Sequence, residues 1–377
     1  MATNKCRVCG QNFFSDPLLR YRNMPRSAQF LPDVNSLESD TGIDLEIYQC
    51  SGCGLIQLSN DPVSYYKEVI RSVGISEEMK EFRKSQFNNF VQIYSLKGKK
   101  VIEIGCGQGE YLSIMKHAGV DAFGLEESAE SVNLCLNNGL NVSKGFIQNS
   151  VEILKNAPFD AFFMLNFLEH LPCPNSTLRG INNNLTERAI GLVEVPNFDI
   201  NRKTLFSEFI RDHLLYFTKE TFFSTLWQNG FEVLEYNEVW HESIISAIVK
   251  KREKHDLSHF YNYQTKLKDE IDEYIQKFDT GKVAIWGASH QSLTIISLFN
   301  LSNKIKYVID SAPFKQDKFT PASHVHIVSP DMLDLDPVNG IIIMAALYST
   351  EVANIIRRKY GNKMSMVILK DSGLEVV

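Results

Sequence analysis

Short, mostly apolar runs alternate with amphipathic stretches through the middle of the chain. Strand-like runs at 100–104, 121–125, 159–165 and 190–195 alternate with helical periodicity at 109–118, 128–138 and 219–229. Runs this short and this continuously apolar are strands buried on both faces, and their alternation with helices predicts a doubly wound parallel sheet. Two further runs, 231–237 and 243–249, close it with a hairpin. The pattern then changes. From Lys250 to Lys282, Leu257, Phe260, Leu267, Ile271, Tyr274 and Phe278 fall at helical spacing on a charged background, predicting an amphipathic connector. A second α/β alternation follows: Val283–Trp286, a helix near 292–299, a strand over 306–310, the run 340–344, a helix over 349–359 and a strand over 364–369.

The first hundred residues read differently. Residues 11–49 carry Pro17, Pro25 and Pro32 and no helical period, whereas 62–95 show an intermittent apolar side from Tyr65, Tyr66, Val69, Phe82, Phe87, Phe90 and Tyr94. The expected organisation is a metal module over 1–60, a helical cover over 61–98, a Rossmann-like domain over 99–249, a connector over 250–282 and a smaller α/β domain over 283–377.

Composition narrows the class. With 44% hydrophobic and 22% charged residues in 377, the chain is globular, and a formal net charge of −6 with no sustained basic run excludes an extended nucleic-acid surface. The start, Met-Ala-Thr-Asn-Lys-Cys, has no apolar signal core and no segment is long enough to span a bilayer, so a cytoplasmic protein without a membrane partner is expected. Oligomeric state is not legible.

Seven cysteines in such a setting do not point to disulfides. Four fall in two tight pairs, Cys6-x2-Cys9-Gly10 and Cys50-x2-Cys53-Gly54, each a knuckle whose glycine lets the chain turn amides toward sulfur. Four thiolates suit tetrahedral Zn²⁺ and leave no open coordination position, so the ion would be structural. Cys106, Cys135 and Cys173 read as buried small residues, with the Cys106 backbone near a ligand.

The run Val101-Ile102-Glu103-Ile104 empties into Gly105-Cys106-Gly107-Gln108-Gly109, a glycine-rich turn that opens a helix at Glu110. Such a turn at a strand's carboxyl end holds nucleotide-like ligands. Glu126, at the end of the next strand, stands where a carboxylate accepts from both ribose hydroxyls.

The segment Glu103-Ile-Gly-Cys-Gly-Gln-Gly109 resembles motif I of class I S-adenosylmethionine-dependent methyltransferases. By that resemblance Glu103, Gly105, Cys106, Gly107, Gly109, Glu126 and Asn166 bind the cofactor. Phe159–Asn166 and Phe167-Leu-Glu169-His170 look like the fourth strand and its loop. Cysteine knuckles, motif I, Asp212-His-Leu-Leu-Tyr-Phe217 and a last unit opening at Gly287-Ala288 together resemble the zinc-binding sugar C-methyltransferases that act on nucleotide-linked ketodeoxysugars. Two departures stand out. Ile210-Arg211-Asp212-His213 replaces the family's Tyr-x-Glu-His, and Gly287-Ala-Ser-His-Gln-Ser292 lacks the lysine and final glycine of its Gly-Ala-x-x-Lys-Gly turn.

The resemblance implies carbon methylation beside a carbonyl of a small, carbohydrate-derived substrate. His213 would be the base, since an imidazole titrates near pH 6.5, and Asp212 would orient it. His170 would donate to the developing enolate, and Glu169 would fix the loop or reach the substrate. Tyr65 or Tyr66 could supply a phenol. His213 could instead serve the helix start at Thr218–Glu220. In the last unit, Ser289 and His290 read as turn residues facing a ligand, and His324-x-His326 as a histidine pair on one strand face. The alternatives are O- or N-methylation of a related small molecule, or a non-catalytic carrier-binding role.

Overall fold

The computed structural model describes residues 3–29, 31–68, 75–200 and 206–377. The chain divides into two compact units, Met1–Lys254 and His255–Val377. The first contains, in chain order, β1 (Leu19–Met24), β2 (Ile43–Gln49), β3 (Ile56–Leu58), α1 (Glu77–Ile93), β4 (Lys100–Ile104), α2 (Glu110–His117), β5 (Asp121–Glu126), α3 (Ala129–Asn137), β6 (Asn141–Lys144), β7 (Phe159–Leu165), α4 (Pro174–Asn183), β8 (Leu185–Pro196), β9 (Leu215–Tyr216), α5 (Lys219–Gln228), β10 (Phe231–Val239) and β11 (Ile244–Lys251).

Its main sheet runs β10-β11-β8-β7-β4-β5-β6. The pairs β4–β5, β5–β6, β4–β7 and β7–β8 are parallel, and the hairpin β10–β11 joins β8 antiparallel. Strand order reverses at β4, which opens a crevice at the carboxyl ends of β4 and β7, where open α/β sheets bind ligands. The strands earn their places by burial: Val101, Ala161, Phe163 and Leu192 form one core with Phe87, Phe90 and Val91 of α1. A buried ion pair pins that helix to the sheet. Arg83 Nη1 lies 2.6 Å from Glu194 Oε2 of β8, while Gln86 Nε2 donates to Glu194 Oε1 at 2.6 Å.

A smaller antiparallel sheet, β1-β2-β3-β9, carries the cysteine knuckles and takes β9 from beyond the main sheet. These strands gave little sequence signal, because β1 is exposed along its length and β9 is two residues long. The helical reading of 62–95 is corrected at its start. Helix α1 begins at Glu77, where Ser76 accepts from the Met79 amide, and 64–67 form turns; Val69 lies outside the described residues. Strand β8 starts at Leu185 rather than 190, and its polar beginning hid it.

The second unit contains α6 (His259–Ile275), β12 (Val283–Trp286), α7 (His290–Leu298), β13 (Val308–Ile309), β14 (Lys318–Phe319), β15 (His326–Val328), α8 (Met332–Leu335), β16 (Gly340–Ile343), α9 (Ser349–Tyr360), β17 (Ser365–Lys370) and β18 (Gly373–Val376). Its sheet, β14-β15-β13-β12-β16-β17-β18, is parallel inside and antiparallel at both edges. The connector is shorter than expected: Lys250 and Lys251 finish β11, and Leu257 and Phe260 are exposed. Only Leu267, Ile271 and Tyr274 are buried. The strand expected over 306–310 shrinks to Val308–Ile309, and His324 sits in a left-handed turn before β15, so it does not share a strand face with His326.

Candidate functional site

The loop after β4 is built by glycines at positive φ: 72° at Gly105, 53° at Gly107 and 83° at Gly109. Two of these also need the missing side chain for space. A Cβ on Gly105 would come within 3.0 Å of the Phe167 ring, and one on Gly109 within 2.5 Å of Leu140, whereas one on Gly107 would meet nothing within 4 Å. Gly107 therefore faces open space. The loop's amides turn inward: Gly105 and Cys106 donate to the Leu125 carbonyl, Gly109 to the Cys106 carbonyl and Gly107 to Glu126. A phosphate-binding turn presents its N–H groups to the ligand. This one does not, which suits a nucleoside ligand without phosphate. Cys106 is buried as expected, and its amide and carbonyl both hold the turn.

Glu126, at the end of β5, accepts from the Gly107 amide at 2.9 Å through Oε2 and from the Ser128 amide at 2.8 Å through Oε1. Burial pushes its pKa up, opposed by those two amides. Its carboxylate borders a small cleft walled by Phe146, Phe167, Ile147 and Lys67. Lys67 Nζ lies 5.2 Å from the Phe146 ring centre, and the Tyr66 ring meets Phe146 edge-on at 5.8 Å. Tyr66 thus packs on the Phe146 wall. Asn166, in the left-handed conformation just after β7, gives its amide to the Glu194 carbonyl at 2.9 Å and leaves Oδ1 without a partner among the described residues. Glu103 is buried on β4. The open face at Gly107, the Glu126 oxygens and the aromatic walls fit the adenosyl part of S-adenosylmethionine.

Glu169, His170 and His213 come together, with ligating atoms all within 4.8 Å of one another. His170 Nδ1 is 2.8 Å from the Asp212 carbonyl, which can only accept, so Nδ1 carries the hydrogen and Nε2 holds a lone pair. The His213 ring meets His170 edge-on at 4.7 Å. Burial holds the His170 pKa down to about 4 and, with His170 beside it, the His213 pKa down to about 3. Burial pushes the Glu169 pKa up to about 8. At neutral pH the cluster holds two neutral imidazoles and a mostly protonated carboxyl.

Asp212 is corrected. Its carboxylate accepts from Tyr65 Oη at 2.6 Å and from the Ala28 amide at 3.1 Å, so it anchors the N-terminal sheet while its carbonyl orients His170 rather than His213. The Tyr216 hydroxyl accepts from the Ile210 amide and donates to the Ile210 carbonyl, which fixes the loop leading to Asp212. The helix-start role for His213 falls away, because Thr218 and Thr221 cap α5 reciprocally.

The four paired cysteines meet as their spacing implied. Cys6 and Cys53 sulfurs lie 3.6 Å apart, and those of Cys9 and Cys50 3.3 Å. Tetrahedral zinc at about 2.3 Å from each sulfur places sulfurs about 3.8 Å apart, so the set fits that ion. Amides of Val8, Cys9, Gly52 and Cys53 point at Cys6 and Cys50 sulfur. In the second unit Ser289 caps α7 and also donates to the Met344 carbonyl, so its side chain is spent on the fold. His290 opens the same helix.

Sequence reasoning missed Phe146, Phe167, Lys67 and the Arg83–Glu194 pair. The available signal was Phe167 directly after Asn166 and Gly145-Phe146 directly after a strand end.

Residues 85–209 match the family described as methionine biosynthesis protein MetW, and residues 244–368 that described as C-methyltransferase C-terminal domain. The C-methyltransferase NovU of Streptomyces niveus is 20% identical over 385 residues, covering 93% of this chain and 91% of that protein. The ubiquinone biosynthesis O-methyltransferase of Methylococcus capsulatus is 33% identical over 97 residues, 24% of this chain and 40% of that protein. Partial likenesses among solved structures include an S-adenosylmethionine-dependent methyltransferase from Clostridium acetobutylicum, at 13% identity over 50% of this chain and 96% of that one, TM-score 0.39. Magnesium protoporphyrin IX methyltransferase from Synechocystis, with bound S-adenosylhomocysteine, has 13% identity over 48% of this chain and 90% of that one, TM-score 0.39. The chain is an S-adenosylmethionine-dependent methyltransferase. Along nearly its whole length it is similar to a C-methyltransferase. Among the described residues no helix is long and apolar enough to cross a membrane.

Proposed function

We propose that the chain methylates a carbon next to a carbonyl in a small, carbohydrate-derived acceptor. The observation that carries this reading is the His170–His213 pair beside buried Glu169, past the carboxyl end of β7 that leads into Asn166. The full-length similarity to a C-methyltransferase supports it. Glu126 holds the ribose hydroxyls through its remaining lone pairs, and Phe146 and Phe167 wall the adenine. Asn166 and the Gly105 carbonyl accept from the amino-acid end. When bound, the cofactor supplies an electrophilic methyl group on a sulfonium.

Neutral His213 accepts the acceptor's α proton, and the electron pair moves into an enolate. Neutral His170 has no free N–H, so the donor comes from its neighbour. Glu169, whose Oε1 lies 3.9 Å from His170 Nε2, is mostly protonated at neutral pH, and its carboxyl donates to the enolate oxygen directly. The enolate carbon then takes the methyl group. Desolvation weakens both imidazoles as bases, so the proton transfer depends on the enolate oxygen being stabilised as it forms. Tyr65 and Asp212 act by holding His170 through the Asp212 carbonyl. Cys6, Cys9, Cys50 and Cys53 would hold zinc with no open position, so the ion would organise the small sheet and take no part in the reaction.

The test is where the methyl goes. With a cofactor labelled at the methyl carbon and nucleotide-linked ketodeoxysugars as acceptors, product NMR is expected to show a carbon–carbon bond to the label. A label on oxygen or nitrogen would put the enzyme in the alternative class.

A further inference from the structure

Arg83 of α1 is wholly buried, and its guanidinium is only partly used. Nη1 donates to Gln86 Oε1 at 2.6 Å and pairs with Glu194 Oε2 at 2.6 Å, which spends both of its hydrogens. Nε and Nη2 have no partner among the described residues. Those two nitrogens form the side-on edge of the guanidinium, the fork that a carboxylate fits with both oxygens. Glu194 is not free to fill it, because its other oxygen already accepts from Gln86 Nε2 at 2.6 Å and from Ser246 Oγ at 2.9 Å. A buried fork left empty carries the full cost of its desolvation, so a group that fills it is expected.

Its neighbours place the fork at the carboxyl ends of β4 and β7. The Arg83 guanidinium lies 5.0 Å from the Tyr111 ring centre, and Tyr111 is the second residue of α2, directly past the glycine turn. One turn along α1, Phe87 packs on Tyr111 and on Phe163 of β7, with ring centres 6.4 and 5.4 Å apart. On the other side, Glu194 is in register with Leu165, the last residue of β7, and its carbonyl holds the Asn166 amide. Asn166 Oδ1 is the second buried polar atom here without a partner among the described residues. The two unspent groups are of opposite kind: an acceptor on Asn166 suits an ammonium, and a cationic fork on Arg83 suits a carboxylate. An α-amino acid carries both charges on one carbon.

We propose that Arg83 binds the carboxylate of the cofactor's amino-acid end through Nε and Nη2, opposite the ammonium held by Asn166 Oδ1 and the Gly105 carbonyl. This rests on the placing of the ammonium proposed above and not on the chemistry of the acceptor. The Arg83–Glu194 pair then has two uses. It pins α1 to β8, and it fixes one side of the guanidinium so that the other meets the ligand already oriented. Arg83 is a binding residue as well as a pin.

The test is calorimetric titration of the full chain with two ligands that differ only in the carboxylate: S-adenosylhomocysteine and its decarboxylated form, which keeps the amine. The wild-type protein is expected to bind the first at least roughly 10-fold more tightly, a comparison that needs no variant. Arg83→Met combined with Glu194→Gln, which leaves no lone buried charge, is expected to bind both ligands about equally and the decarboxylated form nearly as the wild type does. Glu194→Gln alone keeps the fork and is expected to keep the preference. Thermal unfolding and zinc content check that each variant is folded. Equal affinities in the wild type, a preference that survives in the double variant, or its loss in Glu194→Gln alone would overturn the proposal. No methyl acceptor is present, so such a result would leave carbon methylation standing, and a methyl found on oxygen would leave the Arg83 site standing.

Discussion

The two parallel sheets make the same device and use it differently. In the first unit Glu126 is bracketed by the Gly107 and Ser128 amides at 2.9 and 2.8 Å; in the second Asp310 is bracketed by those of Ala288 and Ala312 at 2.8 and 2.9 Å. Each acid ends the second parallel strand, and each reaches across to the turn after the first. The surroundings diverge. Gly107 faces open space beside a cavity, whereas a Cβ on Gly287 would strike the Met344 carbonyl at 2.7 Å, and Asp310 is neutralised by Lys315. A glycine turn tied to a strand-end acid is thus a way of closing this topology. It becomes a ligand site only where the acid's outer lone pairs and the turn are left uncovered.

The largest expected effect lies outside the shared device. Replacing Cys50 by serine should cost the first unit several kcal/mol, roughly what loss of a structural zinc corner removes, and leave the second unit's transition in place. Calorimetric unfolding with zinc analysis reads this; two unchanged transitions would show that the cysteines do not hold the fold.

Glycine replacement separates the turns. Gly287→Ala should destabilise the second unit by about 2 kcal/mol or more, from the clash with backbone at a φ of 111°. Gly107→Ala should cost only about 1 kcal/mol in stability while weakening S-adenosylhomocysteine binding. Equal losses of cofactor affinity in both variants would erase the distinction. Carboxylate replacement sharpens it further. Glu126→Gln should weaken cofactor binding by about 1 to 3 kcal/mol, and Asp310→Asn should not change it.

The smallest effect is a change of slope with pH. The Glu169 pKa is raised in the folded state from 4.5 to about 8, so its contribution to stability is full below pH 4.5 and lost as pH rises toward 8. His170 and His213 are lowered from 6.5 to about 4 and 3; their contributions are present above pH 6.5 and lost as pH falls through those values. Glu169→Gln should flatten the loss between pH 4.5 and 8 and keep the loss below 6.5. Denaturant midpoints across that range check it, and an unaltered slope would remove the protonated carboxyl from the mechanism.

Legibility in the sequence followed burial. Strands β4, β5 and β7 were readable because both faces are largely covered and most of their residues are apolar, and the cysteine pairs because two residues between thiolates is the bite of a knuckle. The Tyr65–Asp212 bond joins residues 147 apart, and no local pattern encodes it. Reading Asp212 as the orienter of His213 failed for a related reason: adjacent side chains on a tight turn point apart, and only the carbonyl between them is free to meet His170. Strand β9 exists only because β3 is there to pair with it.

The central claim is that a base removes a carbon-bound proton, and solvent exchange tests it most directly. In deuterated water, with S-adenosylhomocysteine in place of the methyl donor, the wild-type enzyme should place deuterium on the carbon beside the acceptor's carbonyl. His213→Ala should bind S-adenosylhomocysteine nearly as well and exchange roughly 100-fold more slowly or worse. Exchange at the wild-type rate in the variant would take His213 out of the mechanism, and no exchange in either protein, with methyl transfer intact, would contradict carbon methylation itself.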